Sequence, residues 1–307
     1  MGTPIKLQTI MNLKSYNWVV VIPWLFVFLW STGFIGAKFT VDLSDPYFLL
    51  FLRGVFTCIA IFFIALYFRV QWPSFRTIRH KLAIGMLLQS MFLGGCFKAM
   101  DLGMPTGFVS IITGMQPIVT ALLLTTFEKQ RFHLLQWLGS ILGFMGVALV
   151  LMPSGSETNT FSLASLLAAV IGLIGITLGT LLQKRIVLSG HILTQVFFQY
   201  VALTVAMGVL TMIFEEQQVQ WSMSFVLGLL WLVFGVSIAA VFLLVYMVKK
   251  GDAAKVASYF YLVPAFTTIE AWILFDEVLT WAAFGGMFLS VLGLALMIRT
   301  NAPKSQA

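Results

Sequence analysis

A chain of 307 residues that is 60% apolar and 9% charged cannot cover the surface of a water-soluble globule, where apolar usage is about 45–50% and charged usage about 25%. Soluble enzymes, nucleic-acid-binding domains and disordered proteins are excluded together, and the composition requires an integral membrane protein. The net charge of +7 would suit a nucleic-acid partner only if the basic residues formed one patch, and they are instead distributed among alternate loops.

A membrane-spanning helix needs about 20 consecutive apolar residues. Ten such runs follow one another near 18–39, 46–68, 82–101, 105–126, 134–152, 161–182, 192–214, 223–248, 255–275 and 279–298. The expected fold class is therefore an all-α integral membrane protein of ten transmembrane helices, with connections too short for a further domain. The first run follows Lys6 and Lys14. It is too long for the apolar core of a signal peptide and lacks a small-x-small cleavage site, so it is expected to be retained as a span. Cys58 and Cys96 fall inside apolar runs without metal or redox spacing, and read as packing residues.

Basic residues are retained on the cytoplasmic side. Fifteen of the 18 lie in the even-numbered connections and the two tails, among them Arg69, Arg76, Arg79, Lys81, Lys129, Arg131, Lys249 and Lys250. Asp42, Asp45, Asp101, Glu157, Glu215, Glu216, Asp276 and Glu277 mark the opposite ends. This alternation predicts that both termini, residues 1–17 and 299–307, are cytoplasmic.

Sliding the chain along itself by 147 residues aligns Pro117 with Pro264, Thr120 with Thr267, Gly139 with Gly286 and Gly146 with Gly293, without a gap. The pattern Gly139-x3-Gly143-x2-Gly146 answers Gly286-x3-Ser290-x2-Gly293 in spans five and ten. Small residues at this spacing let helices approach closely in lipid, within one chain or across a homodimer, so both monomer and homodimer stay open. A unit of five spans enters the membrane the other way up in its second copy, because five is odd. The expected organisation is two inverted repeats, 18–152 and 161–298, of the kind that rock about a midplane site in secondary transporters. Pro117 and Pro264 each remove a helix hydrogen bond and are candidate hinges.

The segment Leu29-Trp30-Ser31-Thr32-Gly33-Phe34-Ile35-Gly36-Ala37-Lys38, Arg53 in span two, and the stretch from Pro264 through Glu277 to Gly286 together resemble the EamA family of the drug/metabolite transporter superfamily. The resemblance covers nearly the whole chain. Gln130 stands where the first copy of the last pattern has glutamate, with Glu128 two residues earlier. The resemblance implies a transporter of the cytoplasmic (inner) membrane, often an exporter of amino acids or related metabolites, with a cavity between its halves. It implies no enzyme activity and no cofactor.

Charges within spans are costly and are usually functional or paired. Lys38, Arg53, Lys98 and Glu270 are the charge or gating candidates, all placed toward the acidic ends. Two roles are open to Glu270: an ion pair holding an outer gate, or a proton-coupling carboxyl. Any of the three cations can receive a substrate carboxylate, and Asp101 offers Lys98 a local partner. Trp30, Ser31, Gln89, Ser110, Thr113, Gln116, Gln195, Gln199, Tyr200, Trp231, Ser237, Tyr259 and Tyr261 lie at depths suited to a substrate wall, because small-ligand pockets combine apolar walls with a few convergent polar groups.

Several chemistries have no motif here. The sequence holds no G-x4-G-K-[ST] phosphate loop, no H-E-x-x-H zinc pair and no G-x-S-x-G nucleophile turn. His80, His133 and His191 occur singly, so no metal site is expected. The expected partners are the bilayer and a small-molecule substrate, with no nucleic acid. The rival classes are a membrane scaffold and a membrane-embedded enzyme. The mid-span glutamines argue against the first, and the absence of an acidic or histidine cluster at one interface argues against the second.

Overall fold

A computed structural model of the chain describes residues 5–104, 106–127, 129, 132–150, 162–185, 191–250, 253–275 and 281–299. They form helices joined by short turns and loops, with an isolated antiparallel bridge between Ser44 and Val219. In chain order these are α1 (Ile5–Lys38), α2 (Pro46–Tyr67), α3 (Phe75–Gly85), a π-helical segment (Met86–Met91), α4 (Phe92–Asp101), α5 (Thr106–Gly114), α6 (Gln116–Phe127) and α7 (Leu134–Val150). Then follow α8 (Leu163–Arg185), α9 (Ile192–Phe214), α10 (Met223–Trp231), a second π segment (Leu232–Ala240), α11 (Val241–Lys250), α12 (Ala253–Ser258), a 3-10 segment (Tyr259–Leu262), α13 (Val263–Phe275) and α14 (Trp281–Arg299).

Seven helical stretches are long and apolar enough to cross a membrane: Val21–Leu43, Pro46–Tyr67, Phe75–Asp101, Phe108–Phe127, Leu163–Lys184, Ile192–Phe214 and Met223–Lys250. Two further apolar helices, Leu134–Leu149 and Phe284–Met297, are shorter. The run expected at 255–275 is divided between α12, the 3-10 segment and α13. Large apolar side chains such as Phe63, Val205, Met212, Ile273 and Phe288 point outward, as they do where lipid replaces water.

Local chemistry explains the interruptions. Pro117 has no N–H, and its ring presses on the carbonyl four residues earlier; α5 ends at Gly114 and α6 begins at Gln116. Pro264 lies just after the 3-10 segment. The two π segments carry Gln89 and Ser237 at their centres. Under the 147-residue shift, Met86–Met91 falls on 233–238, inside the second segment. Bounds repeat elsewhere under the same shift, with 46–67 falling on 193–214 and 134–150 on 281–297.

The packing is held by glycines. A Cβ added at Gly293 would lie 2.5 Å from the carbonyl oxygen of Gly139, and one at Gly146 would lie 2.6 Å from that of Gly286. The small-residue seam of α7 and α14 is thus closed between these two helices of one chain. A homodimer through that seam is therefore not available, because its glycine faces are already in contact. Gly172, Gly175 and Gly179 bring α8 equally close to α4 and to the π segment before it. At Gly54 and Gly85, α2 and α3 meet α9, and a Cβ at Gly85 would lie 2.5 Å from the Cα of Gln199.

The two ends of the bundle differ in charge, as the sequence requires. Near Asp42 and Asp45 the α1–α2 loop meets the α9–α10 loop: Asp45 donates its N–H to the Gln218 carbonyl (3.2 Å), and Gln220 donates to the Leu43 carbonyl (2.8 Å). We call this the acidic end. The end that carries Arg69, Lys81 and Lys249 is the basic end.

Candidate functional site

Between α1, α2, α4 and the two π segments lies a narrow cavity lined by Trp30, Gly33, Ala37, Arg53, Gln89, Phe92, Phe97 and Val236, among others. Its volume is about 40 Å³, whereas drug-sized ligands occupy pockets of about 300–1,000 Å³. A second, smaller cleft, lined by Ser110, Thr113, Gly114, Phe260 and Pro264, shares Trp30, Phe34 and Phe92 with the first. The partition between them is aromatic. Trp30 stacks on Phe92 at 6.0 Å with 15° between planes, and meets Phe260 edge-on at 5.2 Å. Such pairs stabilise by about 0.5–1.5 kcal/mol each, so this wall is firm yet made of side chains that can turn.

Arg53 is the buried charge of the first cavity, with 2% of its surface exposed. Its Nε donates to Ser237 Oγ at 2.7 Å, which ties α2 to the second π segment. Tyr200 is fully buried on α9 beside Arg53. Gln89 lines the same cavity, and its buried amide nitrogen has no partner. A guanidinium keeps several donors after one bond is made, so Arg53 and Gln89 together present unused donors to a chamber with otherwise apolar walls.

Glu270 is buried on α13 and accepts a hydrogen bond from Ser31 Oγ at 2.6 Å, while its second carboxylate oxygen has no partner. The expected gating ion pair is not formed among the described residues. Arg53 is turned to Ser237, and Lys98 Nζ lies 2.6 Å from Asp101, one turn along its own helix. The side chain of Lys38 lies outside the described residues, as do Glu128, Gln130 and Glu277.

Several wall candidates serve elsewhere. Trp231, the last residue of α10, is 44% exposed and lines neither of the two clefts. Tyr261 is fully buried and donates its hydroxyl to the Ser140 carbonyl at 2.8 Å. Its ring fills the space a Cβ at Gly143 would take, which makes it a packing residue of the α7–α14 pair. Tyr259 is half-buried against the core. Gln116 donates to Thr180 at 3.4 Å, and Gln199 donates to Gln183 at 2.8 Å, both away from the two clefts.

Sequence reasoning missed three features. The first is Glu215, which reads as one more acid at a span end. Its two oxygens accept the N–H groups of Tyr47 (2.9 Å) and Phe48 (2.8 Å), so it caps the first turn of α2 from another loop. Burial, only partly offset by these two bonds, raises its carboxyl above the ordinary range. The Asp45-Pro46 pair, which opens α2 with a proline and no side-chain cap of its own, was the available signal. The second is Phe260, hidden among 29 phenylalanines. The third is Lys81, counted with the loop cations but fully buried.

A bundle of apolar helices, interrupted at repeat-related places around a chamber with one buried guanidinium, defines a multi-pass membrane protein with a small internal cavity. The chain belongs to the EamA-like transporter family, whose sequence model matches it twice, at residues 17–152 and 162–299. It is 24% identical over 280 residues to "Uncharacterized transporter YdfC" of Bacillus subtilis, covering 88% of this chain and 87% of that one. It is 26% identical over 290 residues to the "Probable amino-acid metabolite efflux pump" of Escherichia coli, covering 91% and 94%. A solved crystal structure superposes with a TM-score of 0.74 at 17% identity, over 92% of this chain and 98% of the other; this likeness concerns the fold alone. These relatives are transporters and not enzymes.

Proposed function

We propose that the chain is a secondary transporter that moves small organic metabolites, amino acids or related compounds, outward across the cytoplasmic membrane by alternating access. In this reading α1, α2, α3–α4, α5–α6, α7, α8, α9, α10–α11, α12–α13 and α14 are ten spans in two inverted halves, 18–152 and 161–298. The basic end, with both termini (1–17 and 299–307), faces the cytoplasm. The packing supports this, because exchanging each span for the one five places on reproduces the contacts. The α2–α9 and α7–α14 pairs map onto themselves, and α4 on α8 exchanges with the second π segment on α1. A structure that maps onto itself in this way offers two equivalent packings, outward and inward, of nearly equal energy.

The observation that carries the reading is the chamber between the halves, closed by an aromatic partition and holding Arg53 tied to Ser237 across the interface. Its present size suits an occluded state. Opening requires the Trp30–Phe92–Phe260 contacts to part, which makes them the thin gate. The buried carboxyl of Glu270, with one oxygen on Ser31 and one unpartnered, is the group suited to exchange a proton. The printed name of the Escherichia coli relative supports the substrate class. Because the α7–α14 seam is filled within the chain, a monomer suffices for the path.

Counterflow in proteoliposomes tests this. Vesicles loaded with a mixed amino-acid and metabolite pool are expected to exchange one labelled compound class saturably, and Arg53→Ala is expected to lower the flux at least tenfold at unchanged Tm. A gradient dependence lost in Glu270→Gln assigns proton coupling to that carboxyl. If no compound moves through protein shown to be folded, the transport reading is overturned.

A further inference from the structure

We infer that the basic end of the bundle holds a second ligand site, distinct from the central cavity, in which Lys81 receives the carboxylate of an amino-acid-like solute and the amides of Gln183, Gln195 and Gln199 receive its polar remainder. The inference rests on the transport reading and adds a station on its path. Lys81, on α3, has none of its surface exposed, yet its ammonium makes one hydrogen bond, to Thr194 Oγ1 at 2.8 Å. An ammonium has three donors, and a buried charge is stabilised only when paired. Among the described residues no carboxylate lies within ion-pair distance of it, and the neighbouring charge is a second cation, Lys249.

Polar groups on the helices packed at this end are equally incomplete. Gln195, the residue after Thr194, is 1% exposed and neither of its amide atoms has a partner. One turn further, Gln199 donates to Gln183 at 2.8 Å, which leaves the Gln199 oxygen and the Gln183 nitrogen unpartnered. Gly85, one turn from Lys81, lets α3 and α9 touch backbone to backbone at Gln199, so Lys81 and Gln199 flank a close helix crossing. A broad cleft lined by Arg69, His191 and Leu193 opens at the same end of the bundle and stops at the residue before Thr194; entry from it to the site requires the Leu193 side chain to move. One cation without a counter-ion, beside amides that still offer both donors and acceptors, is the complement of a zwitterion: an anion for the lysine, an ammonium or other donor for the glutamine oxygens. The central cavity, with Arg53 tied to Ser237, has the same taste in anions at greater depth.

The test uses the full chain in neutral detergent, with thermal unfolding followed at increasing concentrations of the twenty common amino acids and of their carboxamides. It is run in the Arg53→Ala variant, which silences the central cavity, and in wild type. Free acids are expected to raise Tm saturably in Arg53→Ala, and the carboxamides are not. Adding Lys81→Met is expected to weaken that apparent affinity at least tenfold while Tm without ligand stays level or rises, because an uncompensated buried charge has been removed. Lys81→Arg is expected to keep binding within about threefold. A lower ligand-free Tm in Lys81→Met with unchanged affinity overturns the site, as does equal stabilisation by carboxamides or stabilisation by phosphatidylglycerol alone. If Arg53→Ala by itself abolishes all binding, the second site falls while the central cavity stands. If wild type neither binds nor exchanges any compound, the transport reading falls as well.

Discussion

The acidic and basic ends of the bundle settle their charged groups differently. At the acidic end the loop charges are matched: Glu215 caps α2, Asp45 accepts from the Gln218 N–H at 2.9 Å, and Lys98 is paired with Asp101. At the basic end Lys81 and three glutamines are buried with donors and acceptors left over. Matched groups close an end. Unmatched groups store a demand for hydrogen bonds that a solute or a rearrangement must meet, since each orphaned buried group costs about 1–3 kcal/mol. The contrast suits a conformation latched at the acidic end and poised to yield at the basic one.

The strongest way to break this comparison is to pry apart the frame both ends share. Gly293→Leu on α14 forces a side chain into the Gly139 backbone and is expected to abolish folded, monodisperse protein, read as loss of the main peak in size-exclusion chromatography; overpacking of a tight contact costs about 1–3 kcal/mol even where neighbours can move. Next in size, Glu215→Ala leaves two N–H groups of α2 without an acceptor and is expected to cost about 1–2 kcal/mol, measured as a lower Tm. A sharper form of that experiment varies pH. The Glu215 carboxyl is raised in the folded chain, chiefly by burial, so it holds its proton to higher pH there than in the unfolded chain. Its contribution is therefore greatest below the ordinary carboxylate range and declines as pH rises through the folded value. The Tm difference between wild type and Glu215→Gln is expected to drift in that direction with pH, and a flat difference would remove the argument. Lys98→Met breaks a pair that is about one-third exposed, and such pairs contribute about 0–1 kcal/mol, so a Tm change within that range is expected. Smallest of all, Gln217→Gly relieves a left-handed turn with φ of 62° in the latch loop. It is expected to stabilise by a few tenths of a kcal/mol, as about 1 kcal/mol of strain is largely offset by glycine's entropy.

How much of this was legible in the sequence follows the physics of each feature. Helix positions were legible because a span is a property of twenty neighbours at once, and ladder hydrogen bonds need no distant partner. The α7–α14 seam was legible as a spacing of small residues, though nothing local says which helix answers it. The charge ends were legible because a loop's sign needs no contact. Pairings were not. Arg53 with Ser237 spans 184 residues and Glu270 with Ser31 spans 239, and neither leaves a local mark. The exposure of Trp231 was hidden for a similar reason: which face of α10 meets the cavity is set by the helices packed against it and not by depth along the span. Lys81 was misplaced because its number of neighbours, and not its type, decides whether it is a loop cation or a buried one.

The glycine seam between α7 and α14 also sets an order of events during synthesis. α7 leaves the ribosome more than a hundred residues before α14, whose first residue is Trp281, and at about 5–20 residues per second its glycine face waits several seconds or more in the bilayer without the partner that fits it. The half-finished protein therefore carries, on one helix, a small-residue face without the partner that fits it. A chain interrupted in that interval does not merely lack a helix; it presents a ready contact to any other small-residue face in the same membrane.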